Sequence, residues 1–367
     1  MTYADLNFAC AAPRGCSCVG AGLVTLDIVV DAEAPERCLY SSGGSCGNVM
    51  TILSYFGWRA RPISRLGLDS AAQFVLRDMA RFGVDTELVS QETSIHTPAI
   101  VERIWSTNGD TRTHSYSLRC PTCGRYLMTY RPITQAIAQR VLSGAPHPVE
   151  VFYFDRLSRG ILNLARQYRQ KGALVMFEPS QVKNDRLFKE ATTITHILKY
   201  AQQRLDDTSG LLAEESSLME IQTLGRHGLR YRLTRGASHA SPWTNIDAFG
   251  LRNVVDEAGA GDWCSAGIIH SLAKERAALF SGASAIQLEE ALVLGQALAA
   301  ASCLFPGARG MMYSLSKEEV QEAVHRIVTG TGGVTKPRFP MVESTREFMS
   351  SICGGCAQPP HNTISRP

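Results

Sequence analysis

From about residue 131 the chain alternates short apolar runs with amphipathic stretches. VEVFYF, ALVMFEP, THILKY and IQTLGRHGLRYRL read as strands, and ILNLARQYRQKG has helical spacing. Alternation of this kind predicts a parallel sheet covered by helices. Upstream, CVGAGLVTLDIVVD (18–31) reads as one strand, and residues 41–57 read as a glycine turn followed by an apolar helix. Residues 62–68 read as a short strand and turn. Asp69 is placed to cap a helix in which Phe74, Val75, Met79 and Phe82 share a face and Gly83 supplies the stop. Residues 97–118 alternate like two strands around Asn108-Gly109, a hairpin signal. Residues 268–330 read as mostly helical, with 290–305 a buried packing helix. An irregular extension (1–17) and a Gly-, Pro- and Ser-rich tail (331–367) with no core segment flank this pattern.

Composition narrows the class. The chain has 367 residues, 44% hydrophobic and 19% charged, which excludes wholesale disorder. A net charge of +3 points to neither a nucleic-acid nor a membrane surface. No apolar run reaches the roughly 18 residues of a membrane span. The N-terminus lacks a basic region followed by an apolar core, so no secretory signal is read. Eleven cysteines without a signal suit a reducing cytoplasm, as thiols or metal ligands rather than a disulfide framework.

The chemistry concentrates in VVDEAGAGDWCSAG (254–267): a strand end, a Gly-x-Gly turn and a helix start. Free backbone N–H groups and the positive helix end favour an anion there. Asp262 beside them is either a proton acceptor for phosphoryl transfer or a plain helix cap. Gly20 and Gly22 lack the third glycine of a dinucleotide-binding turn. Cys120-Pro-Thr-Cys123-Gly124 and Cys353-Gly-Gly-Cys356 are two C-x-x-C pairs. They either complete a tetrahedral zinc site or are an unrelated surface turn and tail, with Cys10, Cys16 and Cys18 as possible substitutes.

Four segments, in order, resemble the PfkB (ribokinase-like) family of sugar and nucleoside kinases. They are Gly43-Gly44-Ser-Cys-Gly-Asn48, Arg65-Leu-Gly67-Leu-Asp69, Thr223-Leu-Gly225-Arg-His-Gly228 and Asp256-Glu-Ala-Gly259-Ala260-Gly261-Asp262. The resemblance spans roughly residues 18–330. It implies a three-layer α/β/α domain with a small β lid, its strands within about 35–42 and 97–130. It also implies ATP-dependent phosphorylation of a small-molecule hydroxyl with Mg²⁺, and a homodimer through the lid.

By the same resemblance Asp262 is the general base and Gly259, Ala260 and Gly261 form the anion hole. Asp27, Gly43, Gly44 and Asn48 hold acceptor hydroxyls, with Asp155 or Arg156 beside them. Lys199, Thr223, Gly225, Gly228 and Asp256 lie on the nucleotide side. Read as residues alone, Asp27 is also an exposed strand-end acid, Asn48 a capping amide and Gly43-Gly44 a turn. Three departures stand out. Where the family carries Lys-x-Asn-x-x-Glu this chain has Lys199-Tyr-Ala201-Gln-Gln-Arg204; Glu257 replaces a common Thr; and the tail is extra. Glu178 is a substitute acid, and Arg204 a phosphate contact. A catalytically weak or inactive ligand-binding protein, with a zinc-clipped tail, is the second expectation.

Overall fold

The computed structural model describes residues 15–32, 38–107, 111–127, 129–144, 149–208, 210–236, 239–251, 254–273, 284–331, 345–353, 355 and 356. The Asn108-Gly109 turn, Cys10 and most of both terminal segments lie outside them. The strands are β1 (Ser17–Ala21), β2 (Thr25–Asp31), β3 (Cys38–Gly43), β4 (Arg59–Gly67), β5 (Val89–Glu92), β6 (Ala99–Thr107), β7 (Thr111–Ser117), β8 (Val151–Phe154), β9 (Leu174–Phe177), β10 (Ile197–Ala201), β11 (Ser217–Thr223), β12 (Leu229–Arg235) and β13 (Thr244–Ile246). The helices are α1 (Ser45–Tyr55), α2 (Ser70–Arg81), α3 (Gln135–Ser143), α4 (Arg159–Gln170), α5 (Asp185–Ile194), α6 (Ala260–Ala273), α7 (Ala285–Ser302), α8 (Gly310–Ser314), α9 (Lys317–Thr329) and α10 (Thr345–Ile352).

A nine-stranded sheet runs β13-β12-β11-β10-β9-β8-β1-β4-β5, parallel from β11 through β5. Helices cover both faces, giving the three-layer α/β/α arrangement. The apolar runs are buried on both sides because each strand feeds two cores. Val151 and Tyr153 of β8 pack with α1, α6 and α7, while Phe152 and Phe154 pack with α3, α4 and α5.

A second sheet, β3-β2-β6-β7, forms the lid. Leu26, Ile28, Tyr40 and Val101 on its back pack against Val75 and Met79 of α2. Asp69 caps α2 as expected, accepting from the Ala72 N–H at 2.9 Å. Among the described residues no helix is long and apolar enough to cross a membrane.

Three expectations change. Residues 18–31 are two strands in two sheets, because the chain leaves the large sheet at Gly22. Gly22 N–H still donates to Ile63 O, but the next amide, Leu23, donates to the Asp155 carboxylate at 3.0 Å. A side chain on Gly22 would collide with that carboxylate. The run IQTLGRHGLRYRL is a hairpin, β11–β12, folded at Gly225 (φ +58°) and Gly228 (φ +89°). The tail carries α10, whose Met349 is fully buried against the lid's back.

Candidate active site

Helix α6 starts in the glycine turn. Gly259 has φ +71°, and a Cβ there would stand 2.6 Å from the Ala308 backbone, so only glycine serves. Buried Trp263 donates its indole N–H to Ala308 O at 2.9 Å, pinning segment 306–310 against the turn. Gly261 is exposed, which leaves the positive end of α6 open to solvent.

Asp262 lies inside the first turn of α6, not at its cap position. Its Oδ2 accepts from Asn48 Nδ2 at 2.7 Å. Asn48 sits in the first turns of α1, directly after Gly43-Gly44, so two signatures 214 residues apart meet at one hydrogen bond. Burial, and next the charge of Glu178, push the Asp262 carboxyl up to about 7; Asn48, Lys199 and Arg204 oppose the rise.

Asp27 lies beside Gly43, where a Cβ would strike its carboxylate, and Thr25 Oγ1 donates to it at 2.6 Å. Burial raises its pKa. Gly44 has φ +79°, and a Cβ there would stand 2.6 Å from Leu23 O. Asp155 is buried and engaged by Leu23 N–H and by Arg156 at 2.9 Å, so it braces the crossing between the sheets.

The residues expected on the nucleotide side divide. Thr223, Gly225 and Gly228 sit at the end of β11 and in the turn beyond it. Asp256 is buried and accepts from Ala258 N–H (2.9 Å) and Gly307 N–H (2.6 Å), shaping the loop before the turn. Lys199 is also buried. Its Nζ donates to Glu178 Oε1 at 2.5 Å and to Gly261 O at 3.0 Å, directly beneath the glycine turn. Ser265 Oγ (2.5 Å) and Tyr153 OH (3.1 Å) donate to the other Glu178 oxygen. Ala201 ends β10, and Arg204 lies exposed on the following turn, close enough for its charge to act on Asp262.

Two buried groups escaped the sequence reading. Arg309, 1% exposed, donates Nη2 to Ser42 O, to Ser42 Oγ, to Asp78 Oδ2 (2.6 Å) and to Tyr313 OH (2.9 Å). Its signal was a lone cation in the apolar run CLFPGARGMMY. Glu102 in the lid strand AIVERIW is a lone acid at a buried position; burial, then the charge of Asp256, push it up to about 10.

The two cysteine pairs meet. Cys120 and Cys356 Sγ are 3.5 Å apart, as are those of Cys123 and Cys353, and all four lie within 4.8 Å of one another. The group could hold a metal ion. Cys16 and Cys18 lie instead in the core of the large sheet, so neither substitutes for the tail pair.

No family model matches the chain. Mouse (Mus musculus) ketohexokinase is 24% identical over 316 residues, covering 79% of this chain and 97% of that protein. The aminoimidazole riboside kinase of Salmonella enterica, solved with aminoimidazole riboside and an ATP analog, aligns with TM-score 0.61 at 18% identity, covering 84% of this chain and 99% of that one. The fructokinase of Xylella fastidiosa, solved with bound ATP, aligns with TM-score 0.62 at 14% identity, covering 84% and 98%. The chain has the ribokinase-like fold, and its resemblance to the PfkB sugar and nucleoside kinases, first carried by four short motifs, extends to the arrangement of its sheets and helices.

Proposed function

We propose that this protein is an ATP-dependent kinase that phosphorylates a hydroxyl group of a sugar, riboside or related small molecule. The observation that carries the reading is the 2.7 Å contact between Asn48 and Asp262. It places a carboxylate with a pKa near 7 between an acceptor-side helix and an open helix N-terminus. The names of the relatives, ketohexokinase, fructokinase and aminoimidazole riboside kinase, favour a ketose or a riboside as the acceptor.

The residues present fit a nucleotide phosphate. The turn 259–261 exposes Gly261 at a positive helix end, and Arg204 adds an exposed guanidinium nearby. Mg²⁺ needs only one or two carboxylates beyond phosphate oxygens and water. Glu178 Oε1 lies 3.7 Å from where a Cβ on Gly261 would stand, which puts a second carboxylate beside the turn. Bound ATP with Mg²⁺ would supply the phosphoryl group and neutralise its charge. Asp27 and Asn48 orient the acceptor, Asp262 takes its hydroxyl proton as the new O–P bond forms and the bond to ADP breaks, and the lid excludes water. We place the activity in the cytoplasm, on the strength of the eleven cysteines, and in a homodimer through the lid, which sedimentation velocity tests. Zn²⁺ belongs to the cysteine group, apart from the reacting atoms.

A thermal-shift panel of sugars and nucleosides, with and without a non-hydrolysable ATP analogue, tests the reading. The true acceptor raises the melting temperature and then supports ADP release. Asp262→Asn lowers kcat by about 10²- to 10⁴-fold while keeping acceptor binding. Full turnover in that variant would refute the role of Asp262. Ala201 and Arg204, in place of the amide and acid, favour the second reading, a binding protein without transfer. Calorimetry showing tight acceptor binding with no ADP release would establish it.

A further inference from the structure

We propose that Cys120, Cys123, Cys353 and Cys356 bind one Zn²⁺ as a tetrathiolate, and that this ion fastens helix α10 to the back of the lid. The inference concerns a site remote from the Asp262 chemistry and holds whether or not the chain transfers phosphate.

Four thiolates about 2.3 Å from a tetrahedral zinc stand roughly 3.8 Å apart. Here two of the pairs that cross between the segments, Cys120–Cys356 and Cys123–Cys353, are 3.5 Å apart, and the whole set fits within 4.8 Å. A disulfide would bring two sulfurs to about 2.05 Å; the cysteines among the described residues are free.

The backbone is built for the purpose on both sides. The Arg119–Tyr126 bridge and the bond from Leu127 N–H to Leu118 O form a short hairpin below β7. At its tip Gly124 (φ +74°) turns so that its N–H donates to Cys120 O, and Cys120 N–H donates to Arg125 O. On the other side α10 ends in a turn where Cys353 N–H donates to Met349 O and Cys356 N–H to Cys353 O. Gly355 lies against this hairpin: a Cβ there would stand 2.9 Å from Cys123 Sγ. The second C-x-x-C therefore has room for its partner only because position 355 lacks a side chain.

Physical need points the same way. An eight-residue helix is too short to persist by itself in water. Its apolar anchorage is modest: buried Met349, and a Phe348 ring tilted against Tyr40 of β3 (centroids 3.9 Å apart) and edge-on to Phe74 of α2 (5.4 Å). A metal tie between positions 120 and 356 adds the constraint this contact lacks.

The test uses the full chain, purified under reducing conditions without chelator. Elemental analysis should find about one zinc per chain. Cys353→Ser/Cys356→Ser should abolish it, and Cys303→Ser, in a buried thiol outside the group, should retain it. Because the double variant can fail to fold, hydrogen exchange on the wild type is followed before and after zinc removal. Removal should speed exchange at residues 348–353 and 120–126 and leave β8–β10 unchanged. Absence of zinc, iron in its place, or zinc undiminished in the double variant would overturn the site. Unchanged exchange at 348–353 after zinc removal would overturn the fastening.

Discussion

Lys199 Nζ and Glu178 Oε1 stand 2.5 Å apart beneath the glycine turn, with Lys199 also holding Gly261 O. The pair holds the turn from below through Gly261 O and places a negative charge near Asp262. Glu178→Gln removes a charge that raises the Asp262 pKa, so the acid limb of the kcat/KM profile should move to lower pH. The same change leaves the Lys199 ammonium buried without its counter-charge, at a cost of about 3–5 kcal/mol. A pH–rate profile and urea unfolding of one variant check both statements; an acid limb that stays in place refutes the first.

Asp262 itself should trade stability for function. Its pKa rises from 3.8 to about 7 on folding, so the unfolded chain releases its proton more readily. That preference for the protonated form stabilises the fold at acid pH and is lost as pH rises through about 7. Asp262→Asn should therefore raise the melting temperature at pH 8, with the gain shrinking by pH 5. Equal shifts at the two pH values would contradict it.

Gly259→Ala tests the turn. The left-handed backbone costs a non-glycine residue about 1–2 kcal/mol, and overpacking against Ala308 adds about 1–3 kcal/mol. Unfolding stability should fall by that sum, and affinity for an ATP analogue should fall more than affinity for the acceptor. Calorimetry with each ligand separates the two.

Arg309 offers a test of geometry against charge. Nη2 makes its hydrogen bonds, while Nε and Nη1 are buried with no hydrogen-bond partner among the described residues. A single donor point is what an ammonium supplies. Arg309→Met should cost about 3–5 kcal/mol by stranding Asp78. Arg309→Lys should recover a clear part of that loss in chemical denaturation, and no recovery would show that the guanidinium plane itself matters.

Local spacing made some of this architecture visible in advance. Continuous apolar runs marked β8–β10, and two glycine-rich segments marked the starts of α1 and α6. The break between β1 and β2 was hidden because apolar residues flank it on both sides; its cause, Asp155, lies 132 residues downstream of Leu23. The position of Lys199 was hidden for a similar reason: its partner, Glu178, becomes a neighbour only once β9 and β10 pair. Nor could spacing decide whether the cysteine pairs met, since their contacts span 230 and 236 positions. Long-range pairing, not local propensity, settles each of these.

The crossing at Gly22–Val24 also fixes the root of the lid. It lies against the second crossing, Gly43-Gly44: Gly47 N–H donates to Leu23 O at 3.1 Å, and Gly44 packs on that same carbonyl. The two strand exits lie side by side at the root of the lid, in the same segments that carry Asp27 and Asn48. From the level of Leu26, β6 extends eight residues to Thr107, roughly 25 Å at strand rise. Arg309 adds a further tie at this root through Ser42 and Asp78, so the base of the lid beside Asp27 is clamped while its strands run on past it.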